Sequence, residues 1–86
     1  HHPYLLALLY HILLFRSWFR LNQRFLRTIL TERQFERLTL YAIRGMTVEQ
    51  IAEQEGVAHQ NVSKSIRQAK KKIKFFFEKQ GAKVPF

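Results

Sequence analysis

Residues 47–66 read TVEQIAEQEGVAHQNVSKSI and have the spacing of a helix-turn-helix motif. The small residue Ala52 stands where the two helices of such a motif cross closely, and Gly56 permits the positive φ that the turn requires. Apolar residues that fix the angle between the helices follow at the expected places, namely Ile51, Val57 and Val62. We therefore predict a first helix from Thr47 and a second from about Ala58 to Gln80, with the second in the major groove of DNA.

Two capping boxes predict where the helices ahead of the turn begin. Thr31–Gln34 (TERQ) and Thr47–Gln50 (TVEQ) each place a Thr three residues before a Gln, so that each side chain bonds the other residue's amide. Gly45 and Gly56 are the predicted helix ends. Apolar and polar residues do not alternate strictly anywhere, so we expect no strand. The predicted fold is all-α, a small bundle of four to five helices that contains the helix-turn-helix.

The chain divides into a segment over residues 3–30 and a helix-turn-helix domain over residues 31–80. Four arginines in the first segment fall on one helical stripe, namely Arg16, Arg20, Arg24 and Arg27. The stripe is either a solvated face or a second surface for an acidic partner. The aromatic and aliphatic residues away from it should pack on a core, whereas whether the helix breaks near Arg16–Ser17 stays open.

Tyr4–Phe15 is apolar on all sides apart from His11. Twelve such residues exceed what one helix face can hide, so we expect this run to contact another protein or a second copy; folding back into the core is the alternative. It is shorter than the ~20 residues of a membrane span, and we expect no membrane contact. Phe75 is predicted to be exposed, beside Phe76 and Phe77 in the core.

The net charge of +9, from 15 basic and 6 acidic residues in 86, is unevenly distributed. Residues 57–86 hold eight basic residues and one Glu, which favours a polyanionic partner over a merely soluble surface. Cys and Asp are absent, and the serines lack any nucleophile context. The isolated His11 and His59 predict no metal site, and His1 and His2 resemble the end of an expression tag. We expect no enzymatic activity and no cofactor.

Residues 30–74 read LTERQFERLTLYAIRGMTVEQIAEQEGVAHQNVSKSIRQAKKKIK. This stretch resembles region 4 of bacterial sigma-70-type transcription initiation factors, including the small alternative and phage-like ones. The resemblance implies a cytoplasmic protein, at the bacterial nucleoid, that binds a promoter element of double-stranded DNA and docks on RNA polymerase. RNA polymerase is then one candidate for the protein that Tyr4–Phe15 contacts. Residues 1–30 do not resemble the sigma region that reads the −10 element, so we expect that this chain alone does not initiate transcription.

The resemblance implies base contacts at the positions of His59, Gln60, Ser63 and Lys64. The helical period adds Arg67 to the exposed side that carries the last three. We assign phosphate contacts to the helix start at Thr47 and to four cations, namely Arg44, Lys70, Lys71 and Lys74.

Two residues depart from the family pattern. Glu55 stands where a buried Leu or Ile is usual, and we expect it to turn outward or the helix to pack loosely. Ala58 replaces a Ser or Thr N-cap, so the next helix should lack ~1 kcal/mol of capping. Three other functions stay open. The first is an interaction module that grips RNA polymerase or a sigma partner, and the second is a stand-alone dimeric regulator. The third is a surface-active amphipathic helix on anionic lipid, formed by the apolar start and the arginine stripe.

Overall fold

The computed structural model describes residues 3–86, which form five α-helices and no strand. These are α1 (Pro3–Leu21), α2 (Gln23–Ile29), α3 (Glu32–Ala42), α4 (Val48–Glu55) and α5 (His59–Lys79). The predicted all-α fold with a helix-turn-helix is confirmed, with α4 and α5 as the motif. His1 and His2, with their tag-like appearance, lie outside the described residues.

Both capping boxes form as predicted. The Thr31 hydroxyl accepts from the Gln34 amide at 3.1 Å, and the Gln34 side chain accepts from the Thr31 amide at 3.1 Å. The Thr47 and Gln50 pair repeats this arrangement at 3.1 and 2.9 Å. Gly56 ends α4 in the left-handed conformation with φ of 70°, which only Gly adopts without strain.

All five helices contribute to one hydrophobic core. Its largest fully buried side chains are Phe19, Leu26, Leu38, Ile51, Val62 and Ile73. The apolar side of α5 is buried from Val62 to Ile73, and Phe77 packs beside it with its ring 5.1 Å from Trp18. The prediction for Phe76 is wrong: this ring is exposed and lies outside the core cluster, where it meets the exposed Phe75 edge-on at 5.8 Å.

The first helical segment breaks at Asn22 rather than near Arg16–Ser17. The Asn22 side chain donates to the Trp18 carbonyl at 2.8 Å, the kind of local bond by which Asn competes with helix continuation. Just before the break, Phe19 is buried and stacks on Phe35 at 5.7 Å. The carboxyl-terminal end of α1 is therefore fixed in the core.

The amino-terminal part of α1 makes no comparable contact, because every residue from Pro3 to Leu14 is exposed. The alternative in which this run folds back into the core does not occur within the described chain. The helix has 19 residues because it continues through Arg16 and Arg20, and by length and composition alone it is apolar enough to cross a membrane. Only the twelve residues from Tyr4 to Phe15 precede the first arginine, and this shorter run is below the length of a span.

Candidate nucleic-acid interface

Helix α5 has two chemically distinct sides. One side is buried against α3 and α4 through Val62, Ile66, Ala69 and Ile73. The other side is exposed and carries amide and cationic groups, namely Gln60, Lys64, Arg67, Lys71 and Lys74. No acidic residue occurs in α5 before Glu78, so nothing on the helix neutralises these cations. Such an acid-free positive surface attracts a polyanion.

The five residues predicted to contact bases all lie on the first half of α5. His59, Gln60, Lys64 and Arg67 are exposed, whereas Ser63 is half-buried. Ser63 lines a shallow groove of about 210 Å³ together with Val48 of α4. Four of the five side chains are thus open to a ligand, and the fifth lies where α5 meets α4.

The residues predicted to contact phosphates differ in how accessible their side chains are. Arg44, Lys71 and Lys74 are exposed. Thr47 is exposed, but its amide donates to Gln50 and its hydroxyl oxygen accepts from Gln50 within the capping box. Only the hydroxyl proton of Thr47 is left to donate to a phosphate.

Lys70 differs from the other predicted phosphate contacts because it is half-buried. Its ammonium group lies 5.6, 5.3 and 5.9 Å from the ring centres of Phe15, Tyr41 and Phe86. Burial lowers the pKa of Lys70, and the three ring faces offer cation–π attraction in place of water. The structure therefore places Lys70 in an aromatic cluster and not among the exposed cations of α5.

Glu55 forms the buried ion pair that sequence reasoning missed. Its side chain is only 7% exposed, and its carboxylate lies 2.6 Å from Nη2 of Arg37 and 3.2 Å from Nη1 of Arg33. The Arg37 hydrogen bond lowers the pKa of Glu55. The expected outward turn is wrong, because a carboxylate can stay buried where it has a paired cation.

Arg37 also connects this ion pair to the start of α5. Its Nη1 donates to the Asn61 carbonyl at 3.3 Å, while the rest of its guanidinium binds Glu55 at the end of α4. One side chain of α3 therefore contacts both helices of the motif and helps to set the angle at which α5 presents its exposed side. The sequence showed that Glu55 stands at a position where the family usually has an apolar residue. It did not show that Arg37 and Arg33, 18 and 22 residues upstream, are its partners.

The start of α5 lacks a side-chain cap, as predicted. Ala58 is the N-cap residue, and no side chain bonds the first amides of the helix. These amides and the positive end of the helix dipole lie at the same end of α5 as His59 and Gln60.

Ala58→Ser is expected to raise the free energy of unfolding of the free protein by about 1 kcal/mol, because the new hydroxyl accepts from a first-turn amide. Thermal unfolding with and without the substitution measures the change, and Ala82→Ser, an exposed position outside the helices, is the control. Equal melting temperatures for Ala58→Ser and the original chain would contradict the uncapped start.

The comparisons with known proteins agree with this geometry. The family model described as Sigma-70, region 4 matches residues 28–73, more than half of the chain. The chain therefore belongs to the sigma-70 region 4 family, a family of non-enzymatic DNA-binding domains that act in transcription in the bacterial cytoplasm. Searches of curated proteins and of solved structures found no match.

Proposed function

We infer that the domain reads a promoter element with α5 and docks on RNA polymerase while it does so. The observation that carries this proposal is the exposed, acid-free side of α5, held at a fixed angle by the buried side of the same helix. Proteins of the helix-turn-helix type place the first turns of the second helix against base edges. His59, Gln60 and Lys64 occupy those turns here.

The roles divide by chemistry. Gln60 can bond two atoms of an adenine edge, and Lys64 and Arg67 can donate to a guanine edge, so these residues supply sequence choice. Arg44, Lys71 and Lys74 supply charge to phosphates, which adds affinity without sequence choice. His59 and Ser63 complete the set of residues that contact bases. Thr47 and Lys70 complete the set that contacts phosphates. To reach a phosphate, the Lys70 side chain must leave its aromatic cluster.

Selection of bound sequences from a random DNA pool, with and without RNA polymerase, tests both parts of the proposal. We expect one enriched sequence motif, and stronger enrichment when polymerase is present. Lys64→Ala serves as the matched variant and should weaken the motif at one or two positions. Enrichment of no sequence under either condition would contradict promoter reading, and equal enrichment with and without polymerase would contradict docking.

Binding to a promoter duplex should weaken steeply with added salt. With about five or six phosphates neutralised, the logarithm of the binding constant should fall against the logarithm of the salt concentration with a slope of about −4 to −6. Fluorescence anisotropy between about 50 and 200 mM salt measures this slope. A flat response would contradict the electrostatic role of the exposed cations.

A protein-interaction module is the second candidate function. The exposed Phe75 and Phe76 rings at the end of α5 favour it, since adjacent exposed aromatic residues are typical of protein contacts. In this alternative the domain grips RNA polymerase or a sigma partner, and α5 binds no duplex. A gel shift at low salt separates the two functions: a shifted promoter duplex supports DNA reading, and an unshifted duplex supports the interaction module.

A further inference from the structure

The leucine-rich arm, which we define as residues 3–14 at the start of α1, is exposed on every side. Its seven leucine and isoleucine side chains keep between 41 and 59% of their surface open, whichever way they point. These are Leu5, Leu6, Leu8, Leu9, Ile12, Leu13 and Leu14. One side of the arm, at Leu8 and Ile12, borders a cleft of about 530 Å³ that it shares with Tyr41 and Met46. No side of the arm is buried by the described part of the chain.

This all-round exposure favours lipid over a flat protein contact. A second copy or a protein surface covers one side of a helix, and such helices show one apolar stripe. A helix that is apolar on all sides is instead typical of the interior of a large protein or of a membrane. Hydrocarbon chains contact every side of a helix at once, which matches the uniform exposure of the arm.

The charges next to the arm match a membrane that contains anionic lipid. Leu9, Leu13, Arg16 and Arg20 follow one another at helical spacing, so the outer side of α1 passes directly from leucines to arginines. Both arginines are exposed, and the described chain holds no acidic residue before Glu32. Arginines at the edge of an apolar helix extend their guanidinium groups to lipid headgroups, where anionic lipids attract them.

The length of the arm limits how deeply it enters. Twelve residues rise about 18 Å, slightly more than one leaflet of a hydrocarbon core that is ~30 Å thick. Phe15, Trp18 and Phe19 cannot follow, because they pack against the protein's own core. A full span by α1 is therefore excluded by its packing, although its length and composition alone would allow one.

We propose that the leucine-rich arm inserts obliquely into one leaflet of a membrane that contains anionic lipid, with Arg16 and Arg20 among the headgroups. This goes beyond promoter reading and does not depend on it. The sequence predicted no membrane contact and left a surface-active helix on anionic lipid as an alternative. The exposure of the arm favours that alternative, and partial insertion requires fewer apolar residues than a complete span. The arm gives affinity through buried hydrocarbon surface, and the arginines add preference for negative charge.

Flotation with lipid vesicles tests the proposal on the full chain. Vesicles with about 30% phosphatidylglycerol should carry the protein upward even at about 0.5 M salt, at which surface charges are largely screened. Leu9→Gln/Leu13→Gln keeps the net charge and should lower the partition coefficient about tenfold or more, because two buried leucines are lost. Arg16→Gln/Arg20→Gln should lower binding to these vesicles at low salt and leave binding to neutral vesicles unchanged.

Two controls separate this result from adsorption through α5 and from misfolding. Lys64→Gln/Lys71→Gln removes charge from the DNA-facing side and should leave flotation at high salt unchanged. Leu9→Gln/Leu13→Gln should keep the circular dichroism and the DNA affinity of the original chain. Equal flotation of the leucine variant and the original chain, or flotation of neither, would overturn the proposal. A dimer in sedimentation that the leucine variant abolishes, without flotation, would also overturn it and would assign the arm to a second copy.

Discussion

Glu55→Ala is expected to lower the free energy of unfolding by about 3 kcal/mol at neutral pH. The substitution leaves the Arg37 guanidinium without its carboxylate, and this side chain is only 11% exposed. Removal of one partner of a buried ion pair is costly because the other charge stays in a site that water reaches poorly. Thermal unfolding should show a fall of about 12 °C or more in a domain of this size.

Glu53→Ala is the matched control for this prediction. Glu53 lies on the same helix, is exposed, and should change stability by less than about 0.5 kcal/mol. The double variant Arg37→Leu/Glu55→Leu should recover much of the loss, because it removes both charges together. If Glu55→Ala and Glu53→Ala unfold at the same temperature, the ion pair contributes nothing to the fold.

The pH dependence gives an independent measurement of the same pair. The pKa of Glu55 is lowered from 4.5 in the folded state, chiefly by the Arg37 hydrogen bond. Its stabilisation is therefore fully present above the pKa of the unfolded chain and is lost as the pH falls through the folded pKa. The difference in stability between the original chain and Glu55→Ala should be constant from neutral pH down to about 5 and should narrow below that.

Gln60→Ala and Lys64→Ala are expected to weaken binding to the selected DNA sequence by about 1–3 kcal/mol each, or roughly 5- to 150-fold, and to change binding to random DNA much less. Both side chains are exposed on the first turns of α5, where a side chain reaches a base edge. Lys71→Ala should weaken binding to all sequences alike and lower the salt slope by about one.

Gln80→Ala is the control for these substitutions, since Gln80 is an exposed glutamine that follows the last turn of α5, twenty residues after Gln60. It should leave affinity and sequence choice unchanged. Competition binding with selected and random duplexes measures all four variants in one series. Equal losses on both duplexes for Gln60→Ala, Lys64→Ala and Lys71→Ala would contradict the division into base and phosphate contacts.

The features that the sequence predicted correctly are local ones. A capping box joins residues three apart, and the apolar side of α5 follows from spacings of three and four residues. Gly56 was identified because a turn of this type requires a positive φ, which Gly adopts most readily. The family resemblance was confirmed over the same stretch, since it consists of these local signals in order.

The features that the sequence did not predict depend on partners far apart in the chain. In a helical diagram Lys70 lies at the border between the buried side and the exposed side of α5. Only the packing of Phe15 and Phe86 near this border places the Lys70 ammonium group among aromatic rings. Glu55 was recognised as unusual, but a carboxylate at a core position signals either exposure or pairing, and Arg37 becomes its neighbour only after α3 and α4 pack. The break at Asn22 depends on a side-chain bond that competes with an otherwise continuous helical pattern.

The aromatic contacts at the end of α1 have a geometric consequence for the whole molecule. Trp18 packs directly on Phe77, so the leucine-rich arm and the DNA-facing helix belong to one rigid body without a hinge between them. Any two objects bound to the arm and to α5 are therefore held at one separation and one mutual orientation. Side chains that touch neither object thus determine how the two are arranged in space.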